Sequence, residues 1–164
     1  MKIGFSTSNS VISKIIRKLT RSEVSHTYLK HNIEGHDLVL HANEHGVEFD
    51  KYVDFNRKFT IVAEYDLIMT DAQEKAFIFY AVQQVDRPYD FLALVGFAWV
   101  LLNKAFKRKI GNPFKNKAAY FCSELMLTSL QAAKFFGSEH LDRDLTTPED
   151  LMGFLDKHPL AKKN

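Results

Sequence analysis

The sequence predicts an α+β fold, on three observations. Segments rich in β-branched and aromatic residues cluster between residues 26 and 67, separated by short turns. Short connections favour antiparallel pairing of such segments. After Leu67 the apolar spacing changes to that of helices, so strands and helices are segregated along the chain. The 164 residues, 46% hydrophobic and 13% aromatic, suit a single domain over 1–164 that buries a core without disulfides.

In chain order, "KIGFS" is a short strand. "NSVISKIIRKLTR" then places Val11, Ile12, Ile15, Ile16 and Leu19 on one helical face, with Lys14, Arg17, Lys18 and Arg21 elsewhere. "HTYLKHNI", "HDLVLHAN", "VEFDKYVDF" and "FTIVAEYDLI" follow as strands, divided by the turns "EG", "EHG" and "NRK". Thr70-x-x-Gln73 is a capping box that opens "AQEKAFIFYAVQQV" as a helix. "YDFLALVGFAWVLLNKAF" reads as a helix that is apolar almost all round, followed by the basic loop "KRKIGNPFKNK". "CSELMLTSLQAAKFFG" is a helix stopping at Gly137. Thr147-Pro148 caps a last short helix, "EDLMGFLDKH".

Composition narrows the classes of function. Twenty-two basic and 20 acidic residues leave a net charge of +2, which offers no general field for nucleic acid. One cysteine forms no internal disulfide and no multi-cysteine zinc site, and it fits a reducing compartment. The N-terminus lacks the apolar stretch and small residues of a signal peptide, so a cytoplasmic location is expected. The longest apolar run, Phe91–Leu102, falls short of the ~20 residues a membrane span needs.

Cys122 falls at the start of its helix, where the dipole and unpaired N–H groups favour a thiolate and offer an oxyanion site. A cysteine hydrolase also needs a base and a group to orient it. Five of the seven histidines lie between His26 and His45. His26 opens one strand and His41 ends the apolar part of the next, and two adjacent antiparallel strands can bring such residues side by side. His26, His31, His36 and His41 recur every five residues and alternate faces of a strand, so they do not all meet one ion. No metal site and no cofactor are expected.

Four stretches, "SVISKIIRKLTRSEVSHTYL", "DLVLHANEHGVEF", "RPYDF" and "YFCSELML", with the ending "LTTPEDL", resemble the circularly permuted papain-like amidases of the NlpC superfamily, the YiiX/YaeF-like group. They are more distantly similar to lecithin:retinol acyltransferase-like enzymes. The resemblance runs from about Ser10 to Leu151 and implies a permuted papain-like fold with the cysteine at a helix N-terminus. It makes Cys122 the nucleophile and His26 the base. His41 stands where many relatives carry Glu, His or another polar orienting group, with Glu44, His45 and Glu48 as nearby substitutes. Tyr89 matches a tyrosine that lines the site or polarises the carbonyl. Glu124 supports the first helical turn, and Ser123 caps or packs.

The function these features imply is a cysteine amidase or peptidase working through a thioester. The partner would be a small-molecule or peptide amide, with no nucleic acid. A cell-wall substrate would require exposure by phage lysis or a delivery system. One alternative is a lipid-directed acyl hydrolase or acyltransferase, suggested by the apolar run 91–102 beside Lys104, Lys107, Arg108, Lys109, Lys115 and Lys117 as a peripheral membrane contact. Another is a non-catalytic binding module, such as a phage-encoded interaction protein.

Overall fold

A computed structural model describes residues 1–88 and 121–164. Its frame is a six-stranded antiparallel sheet of order β4-β3-β2-β1-β5-β6. The strands are β1 (Lys2–Thr7), β2 (His26–Ile33), β3 (His36–Asn43), β4 (Gly46–Lys51), β5 (Thr60–Leu67) and β6 (Ala161–Lys163). Among the described residues five α-helices accompany it: α1 (Val11–Thr20), α2 (Tyr52–Lys58), α3 (Asp71–Val82), α4 (Cys122–Ala132) and α5 (Pro148–Asp156). None of them is long and apolar enough to cross a membrane. The α+β class and the antiparallel sheet are therefore those the sequence predicts.

Strand alternation divides the sheet into two unlike faces. Ile3, Phe5, Leu29, Leu40, Ala42, Val47, Ala63 and Tyr65 form one face and pack against Leu125, Met126, Leu127 and Leu130 of α4, with Phe77 of α3 and Leu151 and Leu155 of α5. This is the main core. On the other face Tyr28 and Val39 pack against Phe55 of α2, flanked by Tyr52, Phe59 and Ile61. Gly4 lies opposite Tyr28, and a Cβ at Gly4 would fall 2.0 Å from the Tyr28 ring. A glycine is thus required for that ring to cross the sheet and donate its hydroxyl to Glu64, 2.9 Å away.

Several boundaries differ from the sequence-based expectation. "VEFDKYVDF" is a strand only as far as Lys51, and "YVDFNRK" is α2 rather than strand and turn. The reason is tertiary: with the helical turn, Phe55 is fully buried against Tyr28 and stacks on Phe59 at 4.4 Å. α4 ends at Ala132, not at Gly137. Lys134 takes the left-handed conformation at φ 51°, and Phe135 N–H bonds back to Leu130 O at 2.9 Å, closing the helix without glycine. Gly137 instead precedes a 3₁₀ turn, Ser138–His140. The short strand β6 returns the C-terminal stretch to the sheet beside β5, and no sequence signal announced it.

The expected caps are present. Thr70 and Gln73 form the capping box of α3, and Thr147 with Asp150 forms that of α5, with Pro148 inside the first turn. The apolar stripe of α1 is only half used. Ile16 is buried, whereas Val11 is 72% and Ile15 45% exposed. Ser13 rather than an aliphatic residue anchors the helix, through a 2.6 Å hydroxyl contact to Ser25.

Candidate functional site

The β2–β3 hairpin sets the site. Its two-residue turn, Glu34-Gly35, has both residues at positive φ, the geometry that matches strand twist. This fixes the register so that Tyr28 faces His41. His26, two residues before Tyr28, shares its face and meets His41 diagonally. His26 Nε2 lies 3.0 Å from His41 Nδ1, with the rings nearly perpendicular. Phe59 stacks on the His26 ring at 4.9 Å and Phe55 meets the edge of the His41 ring at 5.1 Å, so α2 holds both imidazoles in place.

The next hairpin extends the row. Glu48 on β4 faces His41, and Asp50 lies two residues on along the same face. Asp50 Oδ2 is 3.4 Å from His41 Nε2 and 3.5 Å from Lys58 Nζ. Asn43 donates from Nδ2 to Glu48 Oε1. Glu48 is one of the groups expected beside His41, with Glu44 and His45; Asp50 is not among them. The signal that could have found it is parity: "NEHG" makes a tight turn, which sets His41 against Glu48 and puts Asp50 on the same side.

Cys122 arrives from the opposite face. It is the first helical residue of α4, after an extended Phe121, and is 2% exposed. Its Sγ lies 4.0 Å from Ser25 O, and the Thr27 backbone N–H also acts on it. The sulfur therefore touches the strand immediately before and after His26. Among the described residues no hydrogen bond joins Sγ to the imidazole. Ser123 donates to Thr146 O at 2.8 Å, tying the start of α4 to the loop before α5.

The electrostatics differ from the expectation for a helix N-terminus. Burial pushes the Cys122 thiol up to about 11, outweighing the backbone N–H groups of Thr27, Ser123 and Cys122 itself. The expected thiolate is thus corrected to a neutral thiol, because a dry position costs the charged form more than the helix end returns. Burial also holds His26 well below its usual range, with His41 adding to the effect. His41 is lowered by burial, against the opposing pull of Asp50 and Glu48. Sulfur and imidazoles are accordingly uncharged at neutral pH.

A cleft of about 390 Å³ opens beside these groups. Its described lining includes Ile12 and Ile16 of α1, Ser25, His26, Glu48, Asp50 and Phe59. Tyr89, the apolar run 91–102 and the basic residues from Lys104 to Lys117 lie outside the described residues.

No family model matches the chain, and no curated protein matches it. Among solved structures it is similar to one described as the crystal structure of metalloprotein yiiX from Escherichia coli O157:H7, DUF1105. The fold is YiiX-like. The likeness has a TM-score of 0.57 at 18% identity and covers 99% of this chain and 94% of that one. It extends across the sheet and the helices on both its faces, so the YiiX-like part of the sequence resemblance holds at the level of fold.

Proposed function

We propose that the protein is a cysteine hydrolase of the amidase or peptidase class on a permuted papain-like, NlpC-type frame, with Cys122 as nucleophile, His26 as base and His41 as the group that orients it. The observation carrying this reading is the placement of the sulfur against residues 25 and 27, on either side of a histidine already hydrogen-bonded to a second histidine.

The tautomers follow from the contacts. For His26 to accept a proton at Nδ1, its own proton sits on Nε2 and is donated to His41 Nδ1. The His41 proton then sits on Nε2, facing the Asp50 carboxylate, which steadies it across a long 3.4 Å contact. Asp50 thereby joins the row as a positioning residue.

Because thiol and imidazole are both neutral at rest, the proton moves as the bond forms. His26 Nδ1 takes the thiol proton while Sγ attacks the carbonyl carbon, and the carbonyl π pair moves to oxygen. Backbone N–H groups at the start of α4 hold the oxyanion. His26 then protonates the departing amine, leaving a thioester that water cleaves with His26 again as base.

The test is covalent labelling by a thiol-directed acyloxymethyl ketone at neutral pH. Wild type labels, Cys122→Ala does not, and His26→Ala labels at least about 10²-fold more slowly, the lower range for general acid–base catalysis. Equal rates for His26→Ala and wild type would reject the assigned base.

A second reading, a lipid-directed acyl hydrolase or acyltransferase, is favoured by α1. Ile12 and Ile16 line the cleft while Val11 and Ile15 face solvent beside exposed Lys14 and Lys18, the pattern of a helix that lies on an anionic surface. Flotation with vesicles of phosphatidylserine and phosphatidylcholine separates the two readings. Binding that Val11→Glu abolishes supports the lipid; no binding at low salt removes it.

A further inference from the structure

One pair of atoms in this row is not used fully by the hydrolase reading. His41 is wholly buried, yet among the described residues its Nε2 has only the long 3.4 Å contact to Asp50 Oδ2, and neither atom has a hydrogen bond of normal geometry. A buried polar atom so poorly satisfied is costly and calls for an explanation. His41 Nε2, an oxygen of Glu48 and an oxygen of Asp50 all lie within 4.8 Å of one another. The 3.4 Å from Nε2 to Oδ2, across which Asp50 acts on the His41 ring but satisfies it weakly, is long for a hydrogen bond. It is right in length for an edge of a tetrahedron, which is about 3.4 Å for bonds of about 2.1 Å to zinc.

We infer that His41 Nε2, Glu48 and Asp50 form a site for a zinc-class divalent cation, and that its occupation turns the His26 proton toward Cys122. One imidazole nitrogen with two carboxylates suits such a cation, and a solvent molecule completes four-coordination. Glu48 and Asp50 both line the cleft, which gives the ion a path in. Asn43, by donating to Glu48, holds that carboxylate in place beneath it. Lys58 is the competitor: its ammonium lies 3.5 Å from Asp50 Oδ2, but its side chain is 63% exposed and free to swing into solvent.

The coupling follows from the single proton shared by the two imidazoles. A cation on His41 Nε2 needs the lone pair there, so that nitrogen gives up its proton. The proton between the rings then belongs to His41 Nδ1 and is donated to His26 Nε2. His26 stays neutral by taking a proton at Nδ1. The net change moves one proton, by way of solvent, from His41 Nε2 to His26 Nδ1, and no ring gains charge. His26 then presents N–H rather than a lone pair to the sulfur. This consequence for reactivity rests on the hydrolase reading; cation binding and tautomer change do not.

The test titrates the full chain with Zn²⁺ by calorimetry and follows the imidazole ¹⁵N signals of His26 and His41 by NMR. One zinc per chain is expected, weakened at least tenfold by Glu48→Gln and by Asp50→Asn, and unchanged in Cys122→Ala. The His26 signals should report the proton moving from Nε2 to Nδ1, and alkylation of Cys122 by iodoacetamide should slow at least tenfold. Zinc binding that survives both carboxylate substitutions, or that disappears in Cys122→Ala, would place the ion elsewhere and overturn the site. Binding with an unchanged His26 tautomer would overturn the coupling. Because the ion and the tautomer are read without turnover, a failure of the hydrolase assignment leaves both results standing.

Discussion

The two faces of the sheet are built on different principles. The α4 face is apolar: Ile3, Phe5, Leu29, Leu40 and Tyr65 meet Leu125, Met126, Leu127 and Leu130. The α2 face carries His26, Tyr28, His41, Glu64 and Asp50, each engaged with a polar neighbour. The first supplies stability through burial without direction. The second accepts the cost of buried polar groups in return for fixed geometry, with Phe55 and Phe59 stacked over the two imidazoles. Cys122 belongs to the apolar face by its helix and to the polar row by its neighbours, since its sulfur sits on the backbone at the start of β2.

Substitutions should separate the two faces. The largest effect is expected for Leu125→Ala, which opens the apolar core and should cost about 3–5 kcal/mol, read as a fall in the urea midpoint. A loss below about 1 kcal/mol would show that α4 is not a main support. His41→Asn should do the reverse in kind: labelling of Cys122 slows roughly 10²-fold while the chain still unfolds cooperatively. An unchanged labelling rate would remove His41 from the row.

Acid should act on the paired histidines of the polar face. His26 and His41 are both lowered by burial, so below the free imidazole value near 6.5 the unfolded chain takes up protons that the folded one refuses. Their stabilisation is present above that value and is lost as pH falls, by up to about 1.4 kcal/mol per pH unit for each histidine. The thiol works in the opposite sense. Its contribution is complete below the ordinary value of 9.0 and is lost as pH rises toward about 11. Iodoacetamide alkylation of Cys122 should therefore keep accelerating above pH 9, where a free cysteine levels off; a plateau near pH 7 would mean a preformed thiolate. The smallest effect is expected for Tyr28→Phe, about 1 kcal/mol in thermal unfolding, because Tyr52 still donates to Glu64 at 2.8 Å.

Much of this arrangement could be read along the chain. The "EG" turn and the strand composition of "HTYLKH" and "LVLHAN" put His26 and His41 on neighbouring strands, and the register then set them side by side. The caps at Thr70 and Thr147 are local hydrogen-bond chemistry, and their residues occur in the right order. Asp50 was overlooked because its role depends on a second register, that of β3 with β4. α2 was overlooked because "YVDF" has the composition of a strand. It became a helix where that turn let Phe55 cover Tyr28 and the two imidazoles.

The sequence by itself determined the α+β class, the hairpins and the caps, and put the two histidines on neighbouring strands, because each can be read within one segment or across one short turn. Only the tertiary structure decided the state of Cys122. Helix position favours a thiolate, and burial between β2 and α4 reverses that preference. Desolvation is a property of everything packed around a group, and neighbours distant in the chain supply most of it. The same reason applies to His41 Nε2 and Asp50 Oδ2, whose want of normal hydrogen bonds exists only once β3, β4 and α2 are assembled.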